Sequence, residues 1–151
     1  MTISIGSDHA ALELKNEIRD YLERLGHLVI DYGTYTKESC DYSDFGAKVA
    51  QDVANNISQR GIVICYTGIG MSIVANKVKG VRCALVQDPE FAKLTREHND
   101  TNVLAMGAKA VDFLKAKEIV NVWLDTEFSN DERHIRRIKK VMEVEGSEYE
   151  C

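Results

Sequence analysis

The chain has 151 residues, a length that suits one domain with a complete hydrophobic core, and we treat residues 1–151 as a single domain. Its residues are 44% hydrophobic and 28% charged, and its net charge is -5 at pH 7. This balance argues against general binding to nucleic acids or acidic membranes. No apolar run approaches the roughly 18 residues of a membrane span. The first ten residues, MTISIGSDHA, lack a signal-peptide pattern, so we expect a cytoplasmic protein.

Five short apolar runs predict β-strands, and they are residues 3–5, 28–30, 62–65, 83–86 and 102–106. Apolar residues recur at spacings of three and four in the segments between and after them, which is typical of amphipathic helices. These helical segments are 11–25, 49–57, 119–124 and 135–142. The alternation predicts an α/β fold, a three-layer doubly wound five-stranded parallel sheet of the Rossmann or flavodoxin type. We expect the strand order 2-1-3-4-5.

Such sheets bind ligands beyond the carboxyl ends of their strands, where the strand order reverses. In the expected order this switch lies between the first and third strands. The segments that follow those two strands are GSDHA, at 6–10, and CYTGIG, at 65–70. Both contain reactive side chains, so the sequence predicts a site at this position.

The four cysteines, Cys40, Cys65, Cys83 and Cys151, form no C-x-x-C pair. Their spacing argues against thioredoxin chemistry and against a cysteine zinc site, and in the cytosol we expect them to be reduced. Cys83, within VRCALV, is typical of a core residue. Cys65 ends an apolar strand, where a buried thiol would be ordinary, but it also precedes a glycine turn at a predicted helix start.

The turn from Tyr66 to Ser72 could bind a phosphate or a developing oxyanion, because a helix N-terminus leaves its backbone N–H groups unpaired. Gly68 and Gly70 would let the backbone approach a ligand closely. Ile73 breaks the G-x-G-x-x-G dinucleotide pattern, and no P-loop lysine is present. The residues alone leave two alternatives open, a ligand-binding loop or a tight connection.

Other polar segments have equally open interpretations. Asp8 follows the first strand and could cap a helix or bind a ligand. His98, within REHNDTN, could act as an acid or base near neutral pH or lie in a solvated turn. Arg133 and Arg137 are four residues apart on one helix face, which suits a phosphate monoester, although a charged run is usually a solvated face.

Taken together, these segments resemble one family along nearly the whole chain, the type B ribose-5-phosphate isomerases and their allose-6-phosphate and galactose-6-phosphate relatives. The segments that match, in order, are GSDHA, DYGTY…DYSDFG at 31–46, ICYTGIGMSIVANKV at 64–78, HNDTNVLAMG at 98–107 and RHIRR at 133–137. The resemblance implies interconversion of ribose 5-phosphate and ribulose 5-phosphate through an enediolate, as in the pentose phosphate pathway. It implies no metal and no organic cofactor.

The resemblance also implies roles for individual residues. Cys65 would be the catalytic base and His98 the ring-opening acid or base. Asp8 would orient sugar hydroxyls or assist ring opening, and Thr67 and Asn99 would hold substrate oxygens. Further substrate contacts would come from His9, Tyr42, Tyr66, Gly68, Ile69, Gly70, Met71, Ser72, Asn99, Lys109, Arg133 and Arg137. The family forms homodimers with active sites shared between subunits, so the C-terminal helix would reach a partner chain. Assembly into tetramers is left open.

Four positions depart from the family pattern. Tyr66 replaces a common glycine, Ser43 a proline, and Lys109 an arginine that often binds substrate, while Ser7 is a common variant. Tyr66 and Lys109 leave the identity of the sugar more open than the class of reaction. The alternatives are a hexose 6-phosphate isomerase and, in another class, a phosphate- or nucleotide-binding module without catalysis.

Overall fold

The computed structural model describes residues 1–149, and its centre is one parallel five-stranded sheet. The strands are β1 (Thr2–Ser7), β2 (Leu28–Asp31), β3 (Arg60–Cys65), β4 (Cys83–Leu85) and β5 (Val103–Gly107). Every neighbouring pair is parallel, with Ser7 beside Ile64 and Cys65 beside Gly107 in the register. The continuous apolar runs form strands buried on both faces, because helices cover the sheet from both sides.

Within residues 1–149, six α-helices complete the three layers. They are α1 (Leu12–Arg24), α2 (Tyr42–Ala54), α3 (Ile69–Ala75), α4 (Pro89–Asn99), α5 (Phe113–Asp125) and α6 (Glu132–Glu145), and a 3₁₀ turn (His9–Ala11) precedes α1. Successive side chains of β3 point to opposite faces of the sheet, so they belong to two separate cores. Ile62 and Ile64 pack with α1, α4 and α5, whereas Val63 and Cys65 pack with α2 and α3. The predicted fold class is confirmed.

The observed strand order is β2-β1-β3-β5-β4, so the expected order was wrong for the last two strands. All five residues of β5 are buried, while β4 has only three residues and is partly exposed. The fully buried strand takes the place beside β3, and the short strand takes the edge, where pairing on one side suffices. The reversal between β1 and β3 is unaffected.

Two local boundaries also differ from the sequence-based expectation. His98 and Asn99 belong to the last turn of α4 and not to a connecting loop. Helix α3 begins at Ile69, three residues before the expected SIVANKV start, because Gly68 adopts a left-handed φ of 79° and ends the loop there. Among residues 1–149, no helix has the length and apolar character needed to cross a bilayer.

Candidate active site

Cys65 lies at the carboxyl end of β3, and its side chain is 4% exposed. Its carbonyl accepts a hydrogen bond from Ala108 N at 3.0 Å, which holds the strand end against the segment after β5. The chain then turns back, and Gly68 N donates to Cys65 Sγ at 3.1 Å. A backbone N–H aimed at the sulfur stabilises negative charge that develops on it.

The loop after Cys65 presents backbone donors. The amides of Gly70 and Met71 donate to no acceptor within residues 1–149, as expected for the first turn of a helix. Ile69 N is held by Thr67 Oγ1 at 3.3 Å, and Ser72 Oγ donates to Ile69 O at 2.8 Å. The loop therefore combines a thiol with two free amides, an arrangement that can stabilise an oxyanion beside a base.

Tyr42, the first residue of α2, packs on this loop. A Cβ built on Gly70 would lie 2.6 Å from Tyr42 Cζ, so the ring occupies the space that any side chain at position 70 would need. The ring is 42% exposed and covers the loop only in part. The structure thus brings Tyr42 into contact with the Cys65 loop, although Tyr42 and Cys65 are 23 positions apart in the sequence.

Asp8 and His9 lie at the carboxyl end of β1, next to β3. Asp8 N donates to Ile64 O at 3.2 Å, and Asp8 Oδ1 accepts from the amides of Ala10 and Ala11, both at 3.1 Å. The capping interpretation of Asp8 is confirmed. Its second oxygen, Oδ2, accepts no hydrogen bond from residues 1–149, which leaves it available to a ligand.

The imidazole of His9 is held from one side. Cys40 N donates to His9 Nδ1 at 3.3 Å, and the Cys40 sulfur lies 3.7 Å from the same nitrogen. An acceptor Nδ1 places the proton of the neutral ring on Nε2, and Nε2–H is the group that can donate to an anion. Cys40 was not among the residues selected from the sequence, and no local pattern pointed to it.

Tyr66 and Lys109, the two unusual positions of the sequence, contact each other. Lys109 N donates to Tyr66 O at 2.9 Å, and Lys109 Nζ lies 6.0 Å from the centroid of the Tyr66 ring. Tyr66 is 52% exposed, whereas Cys65 is buried. The bulk of Tyr66 therefore lies at the rim of the loop.

A second group of predicted residues lines a separate cleft of about 470 Å³ between α4, β4 and α6. His98, Asn99 and Arg137 line it, but no residue of the loop from Cys65 to Ser72 does. Arg133 is exposed and pairs with Asp131 at 3.2 Å. Within one chain, the structure therefore divides the predicted site residues into two groups.

His134 is a further residue of this cleft. It is 4% exposed, its ring centroid lies 4.4 Å from that of His98, and its Nδ1 lies 2.8 Å from Ser129 Oγ. Burial is the largest cause that lowers the pKa of His134 below its ordinary value, followed by His98 and Arg133. Its place between the two arginines was the one signal that could have identified it from the sequence.

Arg82 fixes the segment that carries His98 and Asn99. Its Nε donates to Asn99 O at 3.1 Å and to Asp100 O at 2.9 Å, and its guanidinium pairs with Asp100 at 2.8 Å.

Among residues 1–149, no group of three or more His, Cys, Asp or Glu side chains is placed to hold a metal ion.

Fold and site together define a class of protein. It is a doubly wound α/β domain with a thiol and free amides at the switch point, and with histidines and an arginine in a second cleft. This combination suits proton removal beside a carbonyl group in an anionic ligand.

Comparison with known proteins narrows this class. Residues 3–141 match the Ribose/Galactose Isomerase family. The chain is 42% identical over 143 residues to ribose-5-phosphate isomerase B of Escherichia coli strain K12, covering 95% of each chain. It is 45% identical over 129 residues to D-erythrulose-4-phosphate isomerase of Pectobacterium atrosepticum, covering 85% of each. The solved structure of Clostridium thermocellum ribose-5-phosphate isomerase B has 49% identity and a TM-score of 0.95, over 97% of this chain and 98% of that one. The chain belongs to the ribose/galactose isomerase family.

Proposed function

We propose that this chain interconverts D-ribose 5-phosphate and D-ribulose 5-phosphate through an enediolate. The proposal rests on one observation: the Cys65 sulfur accepts a hydrogen bond from Gly68 N at 3.1 Å and lies in the same loop as the free amides of Gly70 and Met71. An aldose–ketose isomerisation needs a base that removes a proton from carbon, and hydrogen-bond donors that stabilise the oxygen that becomes negative. One loop supplies both.

In the proposed mechanism, the Cys65 thiolate removes the proton from C2 of the open-chain aldose. The electron pair of that C–H bond forms the C1–C2 double bond, and O1 becomes negative. The amides of Gly70 and Met71 donate to this enediolate oxygen. Cys65 then returns the proton to C1, while the hydroxyl proton of O2 moves to O1 and O2 becomes the ketone.

Ring opening precedes this step, and we assign it to His98. Its imidazole would protonate the ring oxygen and accept the proton of the O1 hydroxyl. The free Oδ2 of Asp8 supports a role in orienting sugar hydroxyls, and Thr67 and Asn99 would hold further oxygens.

The phosphate would bind to His9, Arg133 and Arg137. His9 offers Nε2–H because Cys40 holds Nδ1, and Arg137 already lines a cleft. Tyr42 and Lys109 would line the sugar pocket, and Tyr66 would lie beside Lys109 at its rim. The remaining contacts would come from the loop residues Gly68, Ile69, Gly70, Met71 and Ser72.

We infer that two copies of the chain complete each site. His98 and Arg137 line a cleft that contains no residue of the Cys65 loop, so one chain alone does not unite the proposed acid with the proposed base. Ile69 and Ile73, one turn apart on α3, are 53% and 55% exposed. A second copy that covers this apolar face would bring its own His98 cleft next to Cys65.

Replacing Cys65 tests the base directly. We expect Cys65→Ala to fold normally and to lose about a thousandfold in kcat, because general-base catalysis contributes about that factor. Cys83→Ala is the matched control, since burial raises the pKa of the Cys83 thiol to about 12 and keeps it protonated. Near-full activity in Cys65→Ala would contradict the assignment.

The sugar is tested by comparing kcat/KM for ribose 5-phosphate, allose 6-phosphate and galactose 6-phosphate. We expect the pentose phosphate to have the highest value. A higher kcat/KM for a hexose phosphate would change the assigned substrate but not the proposed mechanism. Activity without a cofactor and a cytoplasmic location stay predictions.

A further inference from the structure

Tyr66 and Lys109 contact each other through their main chains and through their side chains. Lys109 N donates to Tyr66 O at 2.9 Å, directly after the hydrogen bond from Ala108 N to Cys65 O. These two bonds extend the pairing of β3 and β5 beyond the strand ends. The main chain therefore holds the two residues next to each other, and Lys109 Nζ lies 6.0 Å from the Tyr66 ring centroid.

The polar ends of both side chains are otherwise unpaired. Within residues 1–149, the Tyr66 hydroxyl takes part in no hydrogen bond, and the Lys109 ammonium has no carboxylate within 4.0 Å. Lys15, by contrast, is buried and bound to Asp31 at 2.7 Å. The Lys109 charge therefore remains available to a ligand.

A lysine on the surface has a flexible stem with considerable rotamer freedom, and an aromatic face restricts where its ammonium lies. We propose that Tyr66 is a positioning residue, whose ring holds the Lys109 ammonium at the rim of the Cys65 loop so that it binds an oxygen of the sugar phosphate. The proposal rests on the proposed function for the identity of the ligand. It explains why a bulky ring and a lysine occur together where the family pattern has glycine and arginine.

Four variants test the coupling: Tyr66→Leu, Tyr66→Phe, Lys109→Met and the double variant Tyr66→Leu/Lys109→Met. For each, kcat and KM are measured with ribose 5-phosphate. The dissociation constant of ribose 5-phosphate is also measured by calorimetry in a Cys65→Ala background, where turnover does not consume the ligand.

We expect Lys109→Met to raise KM and the dissociation constant about tenfold, with kcat within about twofold, because a charge-assisted hydrogen bond is lost. Tyr66→Leu should raise both about three- to fivefold, the range of an exposed cation–π contact. Tyr66→Phe retains the ring and should therefore weaken binding less than Tyr66→Leu does. The double variant should bind no more weakly than Lys109→Met alone.

Additive effects of the two substitutions would overturn the proposal, as would a Tyr66→Phe variant as weak as Tyr66→Leu, or unchanged binding in Lys109→Met. These outcomes are distinct from a failure of the proposed function. In that case the unmodified chain would not isomerise ribose 5-phosphate, although calorimetry could still show the coupling. A chain that neither isomerises nor binds this ligand would overturn both.

Discussion

Three thiols on this chain have three different surroundings, at Cys65, Cys83 and Cys40. Cys65 Sγ receives a backbone N–H at 3.1 Å, and Cys40 Sγ lies 3.7 Å from an imidazole nitrogen. Cys83 Sγ has no such neighbour within residues 1–149, and burial raises the pKa of its thiol to about 12. Because the thiolate is the reactive form, the surroundings and not the residue type decide which cysteine can act as a base.

His134 shows the same dependence for an imidazole. Its pKa lies below 6.5 because burial and the neighbouring His98 and Arg133 all disfavour the charged ring. We expect its NMR titration midpoint below pH 6.5, so that the ring is neutral at pH 7. A midpoint at or above pH 6.5 would contradict this expectation.

The same shift links stability to pH. Below pH 6.5 the unfolded chain binds a proton at His134 that the folded chain does not, so this residue lowers stability as the pH falls from 6.5 to the folded pKa. Denaturant unfolding at pH 7.5 and 5.5 should show a smaller loss of stability in His134→Gln than in the unmodified chain. An equal loss in both would show that His134 does not contribute.

At the scale of elements, the connection from β3 to α3 determines the geometry of the candidate site. Gly68 has a φ of 79°, and a Cβ there would lie 2.8 Å from the Met106 carbonyl carbon, so both the conformation and the space require glycine. The tight turn directs the Gly68 amide towards Cys65 and begins α3 at Ile69. Local backbone geometry thus brings the thiol and the free amides together.

Gly70→Ala should impair binding more than folding. The added Cβ would meet the ring of Tyr42, which is the end of a partly exposed side chain and can move aside. We expect kcat/KM to fall about tenfold with little change in melting temperature, since a small misplacement of a site residue weakens catalysis strongly.

Gly80→Ala is the matched control for this substitution. Gly80 has a φ of 85° and open space around its Cβ position, so alanine there should lower the unfolding free energy by about 1–2 kcal/mol. Its kcat/KM should not change. Equal kcat/KM for Gly70→Ala and the unmodified chain would show that the placement of Tyr42 does not matter.

At the scale of the whole molecule, the predicted residues form two groups on one chain. One surrounds Cys65 at the switch point between β1 and β3, and the other lines the cleft of His98 and Arg137. Tyr149 OH donates to Asp100 at 3.0 Å, so the segment after α6 packs against the end of α4. We infer that a partner chain unites the two groups.

Complementation between subunits tests this arrangement. Cys65→Ala and His98→Ala chains, co-expressed with different tags and purified as a heterodimer, should recover about half of the unmodified activity, because one of the two sites then carries neither substitution. The two parent homodimers are the controls and should be inactive. A heterodimer as inactive as the parents would place Cys65 and His98 of one chain in the same site.

Much of this protein could be predicted from its sequence, because apolar periodicity reports directly on burial. The strand and helix pattern predicted the three-layer sheet, and the same pattern located the switch point after the first and third strands. The chemistry-bearing segments were identified by their residue types. His134 and Cys40 were missed because their significance lies in neighbours distant in sequence, His98 and His9.

What the sequence by itself determined was the fold class and the identity of the polar segments at the strand ends. Only the tertiary structure decided the order of β4 and β5, since both strands are apolar and only packing shows which one is buried on both sides. It also decided that the Lys109 ammonium lies 6.0 Å from the Tyr66 ring centroid, and that the cleft lined by His98 contains no residue of the Cys65 loop. Such relations depend on distances between residues far apart along the chain, and periodicity does not encode those distances.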